Sequence, residues 1–241
     1  MGTEGTLSLK NSTVEAKTKA EVTSLTDVQI GKTTLKGPEV SVKGTAVDAQ
    51  KAHLIATGGP LSVTSTSGAM DLSKAEVSST GLTKVESAGA LTATEATISS
   101  TGGGVSVTNT AGAMDLSNAQ VSSTDLTKVS TAGNLTANGA QLRGKSMLAS
   151  GASVDAQGAH LNATGGTASV TSSTGAMNLA DAELTSTDAL TLESQGEFTA
   201  SGAKLSGKSL TASGTTVDAQ GAHVNATGGT ASVTSSTGAM N

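Results

Sequence analysis

Apolar and polar residues alternate along this chain in a short unit that keeps returning. The unit is eight residues long and reads apolar, polar, apolar, two loose positions, a small residue, polar, apolar. Its copies start at Leu7, Val28, Val47, Met70, Leu91, Met114, Leu135, Val154, Met177, Phe198 and Val217, and a further one opens at Met240. Apolar residues at offsets 0, 2, 5 and 7 lack the spacing of a helix face. The surrounding Thr, Ser and Gly are also poor helix formers. Alternation with a period of two predicts strands, with positions one, three, six and eight facing inward and two and seven outward. The loose pair predicts a corner. Its frequent Gly or Asn, as in Asn138-Gly139, Gln157-Gly158, Ser201-Gly202 and Gln220-Gly221, suits a bend with positive φ.

The spacers between units each hold a third short apolar pair, such as Val40/Val42, Leu61/Val63, Val105/Val107 or Leu190/Leu192. Successive starts lie 19, 21 or 23 residues apart, and three coils make a super-repeat of 63 residues. Strand side chains alternate with a period of two. Length changes in steps of two therefore read as extended spacers whose inward residues stay inward. The prediction is an all-β, single-chain parallel β-helix, triangular in section, with eleven to twelve coils in one continuous segment over residues 1–241. Right-handed winding follows the general preference of parallel crossovers. The opening Met1-Gly2-Thr3-Glu4 has neither the basic nor the apolar stretch of a signal peptide, and the last unit is cut after Met240-Asn241. Both read as a piece of a longer protein.

Composition fits that architecture. There is no Trp, Tyr or Cys and a single Phe. A narrow interior of Ala, Val, Leu and an occasional Met, closed to rings, is the expected core. Without Cys there is no disulfide, zinc knuckle or thiol nucleophile. A net charge of −5 and the lack of stacking aromatics exclude a nucleic-acid groove. No apolar run reaches the roughly 20 residues of a membrane-spanning helix. An open solenoid end exposes unpaired strand edges, so end-to-end or lateral self-association is expected.

Motifs for chemistry are missing: no Walker loop, Rossmann glycine fingerprint, HExxH or GxSxG occurs. His53, His160 and His223 share the outward seventh position. His160 and His223 are three coils apart, about 14 Å, too far for one metal. Position two carries Asp48, Asp71, Asp115, Asp155 and Asp218, with Asn178 and Asn241 in the same column. Asp48 and Asp71 fall in adjacent coils, which suggests a carboxylate pair of the kind that hydrolyses glycosides or a calcium contact. Thr92, Thr136 and Thr199 interrupt the column, however, and aromatic sugar platforms are missing. The sequence of His160, Glu183, Lys204 and His223 in successive coils reads as surface ion pairing. Thr64/Thr66, Thr108/Thr110 and Thr185/Thr187 suggest an ice-binding ladder, but Val85 and Ser87 are expected between the first two pairs and break it. Asn11, Asn134, Asn162 and Asn225 begin glycosylation triplets. No catalytic residue, metal ligand or cofactor is assigned, no binding residue is named, and the chain is read as non-enzymatic.

The stretches Leu210–Gly214 (Leu-Thr-Ala-Ser-Gly), Gly133–Ala140 and Val217–Ala222 resemble repeats of filamentous haemagglutinin-like exoproteins, the large adhesins of bacterial two-partner secretion. The resemblance implies a right-handed β-helical fibre, secreted or displayed on the bacterial surface through an outer-membrane partner. Its expected role is that of a shaft for attachment or biofilm formation, with host or matrix glycans as contacts. The family's Asn-Pro-Asn motif and an Arg-Gly-Asp triplet are both missing from this stretch. A phage-tail or type VI spike, a polysaccharide-acting β-helix enzyme and a polymerising filament are the other readings.

Overall fold

The computed structural model describes residues 5–241, so the opening tetrapeptide read above for a leader lies outside the described residues. Thirty-three short strands and no helix are found among the described residues. They form three eleven-stranded parallel sheets, each built from every third strand in order. The expected all-β parallel solenoid is the fold observed. The first sheet takes positions one and two of each unit, from Leu7–Ser8 to Val217–Asp218. The second begins with position seven, as in His53–Ala56, and the third holds the spacer pair, as in Leu61–Ser65. An isolated bridge between Val217 and Met240 opens a twelfth coil.

Register is maintained residue by residue. Met70 pairs with Val47 below and Leu91 above, and Val63, Val85 and Val107 stack in the third sheet. Inward positions are closed to solvent away from the two ends: Val47, Ala49, Ala52 and Leu54 belong to one continuous core with their counterparts in the inner coils. Asp48 between them is half-buried and His53 is exposed. The expectation that rings are excluded is corrected by Phe198, which is 1 % exposed and heads the largest fully buried side chains. It packs beside Gly214, where a Cβ would lie 2.7 Å from the Cβ of Phe198.

The corners explain the coil lengths, and they replace the reasoning from extended spacers. Strand lengths hardly change. What varies is the stretch between the last inward residue of one strand and the first of the next, at the second and third corners together. In the coil from Val28 these stretches are Pro38-Glu39 and Thr45-Ala46. In the coil from Met70 they are Thr80-Gly81-Leu82 and Ala88-Gly89-Ala90. In the coil from Val47 they are Thr57-Gly58-Gly59-Pro60 and Thr66-Ser67-Gly68-Ala69. One residue added at each of two corners gives the step of two. The triangle grows at its vertices while its sides stay in register.

The shortest vertices have their own inward residue. All three 19-residue coils carry Gly at both places: Gly37 and Gly44, Gly144 and Gly151, Gly207 and Gly214. A Cβ there would meet the carbonyl oxygen two residues on, at 2.7 Å for Ser146 beyond Gly144 and for Ser153 beyond Gly151. Longer third corners instead place a polar side chain inward to bond a carbonyl of the bend. Ser65 Oγ donates to Gly68 O at 2.9 Å, Asn109 Nδ2 to Ala113 O at 3.0 Å and Ser194 Oγ to Glu197 O at 3.0 Å. Among the described residues no buried side-chain nitrogen or oxygen lacks a partner. The polar groups in the core therefore carry no uncompensated desolvation.

Two tests follow from this packing. Gly151→Ala forces a backbone clash and is expected to cost about 1–3 kcal/mol in denaturant unfolding. Gly158→Lys, at a site with nothing within 4 Å of a Cβ, is expected to stay within about 1–2 kcal/mol of the parent. Ala159→Glu puts a charge into a fully closed position and should cost more than about 3 kcal/mol, whereas His160→Ala should stay within about 0.5 kcal/mol. Equal melting of the Ala159 and His160 variants would refute the inward and outward assignment.

Candidate functional site

The chemistry-bearing side chains gather along the first corner, so the site begins with how that corner is made. The N–H of position six donates to the C=O of position three in nearly every coil, for example Ala52 to Ala49 at 3.0 Å and Ala182 to Leu179 at 3.0 Å. Position five takes a left-handed φ in all eleven coils, the arrangement of a type II turn. Its N–H also donates to the next coil, as from Lys51 to Ser73 O at 2.9 Å. The expected Gly serves at Gly139, Gly158, Gly202 and Gly221. Asn11, Asn118 and Asp181 adopt the same conformation, as do Lys32, Lys51, Lys74 and Glu95. An L-residue there costs about 1 kcal/mol, and the stacked backbone imposes it regardless of side chain.

This corner gives the aspartate column its role. Asp71 Oδ1 accepts from the N–H and the hydroxyl of Ser73 at 2.8 and 2.6 Å, and Asp115 Oδ1 accepts from Ser117 at 2.9 and 2.6 Å. Asn178 accepts from the N–H of Ala180 at 3.1 Å, and Asp218 from that of Gln220 at 3.2 Å. These are Asx turns, in which a short side chain replaces a backbone acceptor two residues ahead. The second carboxylate oxygen is bonded from the preceding coil: Gln50 Nε2 donates to Asp71 Oδ2 at 2.8 Å and Asn138 Nδ2 to Asp155 Oδ2 at 3.2 Å. Asp48 and Asp71 are neighbours in register, as the sequence suggested. Asp48 Oδ2 faces Lys10 Nζ at 3.8 Å, while Asp71 is held by Ser73 and Gln50, so each has its own donors. Among the described residues no three His, Cys, Asp or Glu side chains cluster as for a metal ion.

The histidines lie on the outer face of the second sheet. His53 Nδ1 lies 2.9 Å from Glu76 Oε2, and His160 Nδ1 lies 3.5 Å from Glu183 Oε2. Lys204 and His223 follow Glu183 in register, so the stack of charges read from the sequence is present. These pairs are half-exposed, and such pairs contribute about 0–1 kcal/mol. At the edge of the third sheet the Lys19 ammonium, 3.0 Å from Glu21, holds that carboxyl below the usual carboxylate range by hydrogen bond and charge. The threonine reading needs a correction. The residue between Thr64 and Thr108 in the third sheet is Glu86, whereas Val85 lies inward between Val63 and Val107. Glu86 interrupts the ladder more strongly than the expected Val85 and Ser87. Asn162 and Asn225 face outward from the second sheet, and Asn11 sits at a left-handed corner.

Sequence reasoning passed over one set of side chains. Lys32, Lys51 and Lys74 occupy position five in three consecutive coils, all exposed and all with left-handed φ. Lys10, Asn11, Lys32, Asp48, Gln50 and Lys51 line a shallow open groove beside them. The signal was available at position five, where Lys stands in early copies and Gly in later ones.

The geometry places the chain in the class of single-chain parallel β-solenoids. Against family profiles, curated proteins and solved structures, no match was found.

If the aspartate column serves the turns, Asp71→Ala should cost about 1 kcal/mol in unfolding free energy, while Asp71→Asn keeps the acceptor and should be nearly neutral. Calcium or chelator should leave the melting temperature of the parent unchanged; a shift of several degrees with calcium would return the column to a metal role.

Proposed function

We propose that the chain is a shaft segment of a large bacterial surface adhesin, exported through an outer-membrane partner in the manner of filamentous haemagglutinin-like exoproteins. The observation that supports this reading is the continuity of all three sheets through eleven coils, with second and third corners of two to four residues and no inserted loop. Catalytic sites on such scaffolds are carried by loop excursions, and here Asp71, Asp115 and Asp218 serve their own turns, Asp48 pairs with Lys10, and Asp155 is held by Asn138 and Gln157. The work assigned to the segment is mechanical. At about 4.8 Å per coil it spans roughly 50 Å, and it holds a distal binding or effector module away from the cell, for attachment or biofilm formation. The hydroxyl-rich outer faces, with Ser62 and Thr64, Ser106 and Thr108, and Ser169 and Thr171, suit weak multivalent contact with glycans.

Immunoblotting of fractionated native cells with an antibody against this segment tests the reading. The expected result is a surface or culture-fluid band far larger than 23.2 kDa. A small cytoplasmic band would replace the shaft with a filament-forming protein, and a band confined to phage particles would replace it with a spike.

A further inference from the structure

Lys32, Lys51 and Lys74 form a column of like charge that the fold does not require. Position five accepts Gly in four later coils, where no left-handed strain arises. In these three coils the chain instead bears that strain three times over, and it stacks ammonium groups in neighbouring coils, which is itself unfavourable. Internal partners account for only part of the charge. Lys74 Nζ lies 3.5 Å from Glu95, the next residue in the column, and Lys10 is 3.8 Å from Asp48. Lys32 and Lys51 have no ion-pair partner among the described residues, and both line the open groove at the corner. Two carboxylates of the same corner are otherwise engaged, Asp48 with Lys10 and Asp71 with Ser73 and Gln50.

We infer that this column is a binding stripe for an extended acidic polysaccharide of the polyuronate type, laid along the rod axis with its carboxylates against Lys32, Lys51 and Lys74. The spacing argues for that partner. One coil advances the column by about 4.8 Å, close to the advance of a polysaccharide per sugar, so the row of ammonium groups runs alongside the chain and meets the carboxylates that its twist turns toward the rod. A rigid backbone fixes the spacing of the α-carbons that carry the ammonium groups, which lowers the ordering cost of binding. Aromatic platforms for stacking bases are missing from the chain, which disfavours single-stranded nucleic acid. The inference deepens the reading of the chain as a surface rod by naming a partner. Its test uses purified chain in solution, so its failure is distinguishable from a failure of the cell-surface assignment.

The repeat itself supplies the test variant. Replacing all three lysines by Gly (Lys32→Gly, Lys51→Gly, Lys74→Gly) reproduces corners that the chain already uses at Gly158 and Gly221. The triple variant should therefore melt at or above the temperature of the parent. Binding to polygalacturonate is measured at low and at high salt, with neutral dextran and duplex DNA as comparison polymers. The parent should bind polygalacturonate and not dextran, weakening as salt rises. The triple variant should bind about tenfold more weakly, which is near the loss of three exposed charge contacts. A second variant, Lys128→Ser with Lys204→Ser and Lys208→Ser, removes the same charge elsewhere and should bind like the parent. Absence of binding by the parent, equal binding by the triple glycine variant, equal loss in the second variant, or duplex DNA bound as tightly as polygalacturonate would each overturn the inference.

Discussion

Everything in this molecule depends on the parallel ladder of backbone hydrogen bonds between one coil and the next. At the corners as well as in the strands, N–H groups donate across to a neighbouring coil: Lys32 to Gln50 O of the coil after at 2.8 Å, Gly89 to Gly68 O of the coil before at 2.9 Å. A coil therefore cannot choose its path independently. It must bring each inward residue over its counterpart, and any difference in length must be taken up where the ladder can bulge. The two adjustable vertices absorb it equally, and their chemistry follows from their length. A two-residue vertex bends so sharply that only hydrogen fits at the inward α-carbon, and a longer one leaves room for a hydroxyl that bonds the bend from inside.

The same constraint separates what a side chain wants from what the backbone imposes. Lys51, Lys74 and Glu95 sit at left-handed φ because Asn11, Asn118 and Gly139 do. Aspartates that resemble a catalytic or metal-binding row are acceptors for the turns they precede. The interior is permissive within limits, since it takes Phe198 at the position held by Val, Leu or Met in the other coils.

Much of the fold was legible in the sequence because its signals are local and repeated. The eight-residue unit gave the inward positions through Val28, Ile30, Leu35 and their counterparts, closed to solvent in every coil but the first and last. The first corner was legible wherever Gly marked it. The third sheet was less so: Thr83 and Thr127 are fully buried where an apolar residue was expected, because Ser79 and Ser123 beside them share hydrogen bonds at 2.7 and 2.9 Å. The register of Thr64 and Thr108 against Glu86 was misread because apolar Val85 looked equivalent to a threonine once corner lengths were unknown. The lysine column was invisible for a different reason. Nothing in a residue type announces a left-handed φ when the conformation is imposed from neighbouring coils, and only the comparison of position five across copies carries that information.

The near-identity of two segments has a consequence for how the chain reaches this state. Residues 154–178 and 217–241 differ only at Leu161 and Val224. The two coils therefore offer an arriving strand almost the same edge, and energetics alone scarcely distinguishes a correct landing from one displaced by a whole super-repeat. Such a landscape has near-degenerate basins. Order in time would resolve them: growth from one end, with each coil templated on its completed predecessor, would fill the right edge before its duplicate has formed. Any process that releases the chain end first, ribosomal synthesis included, would impose that order and make the direction of emergence part of the folding information.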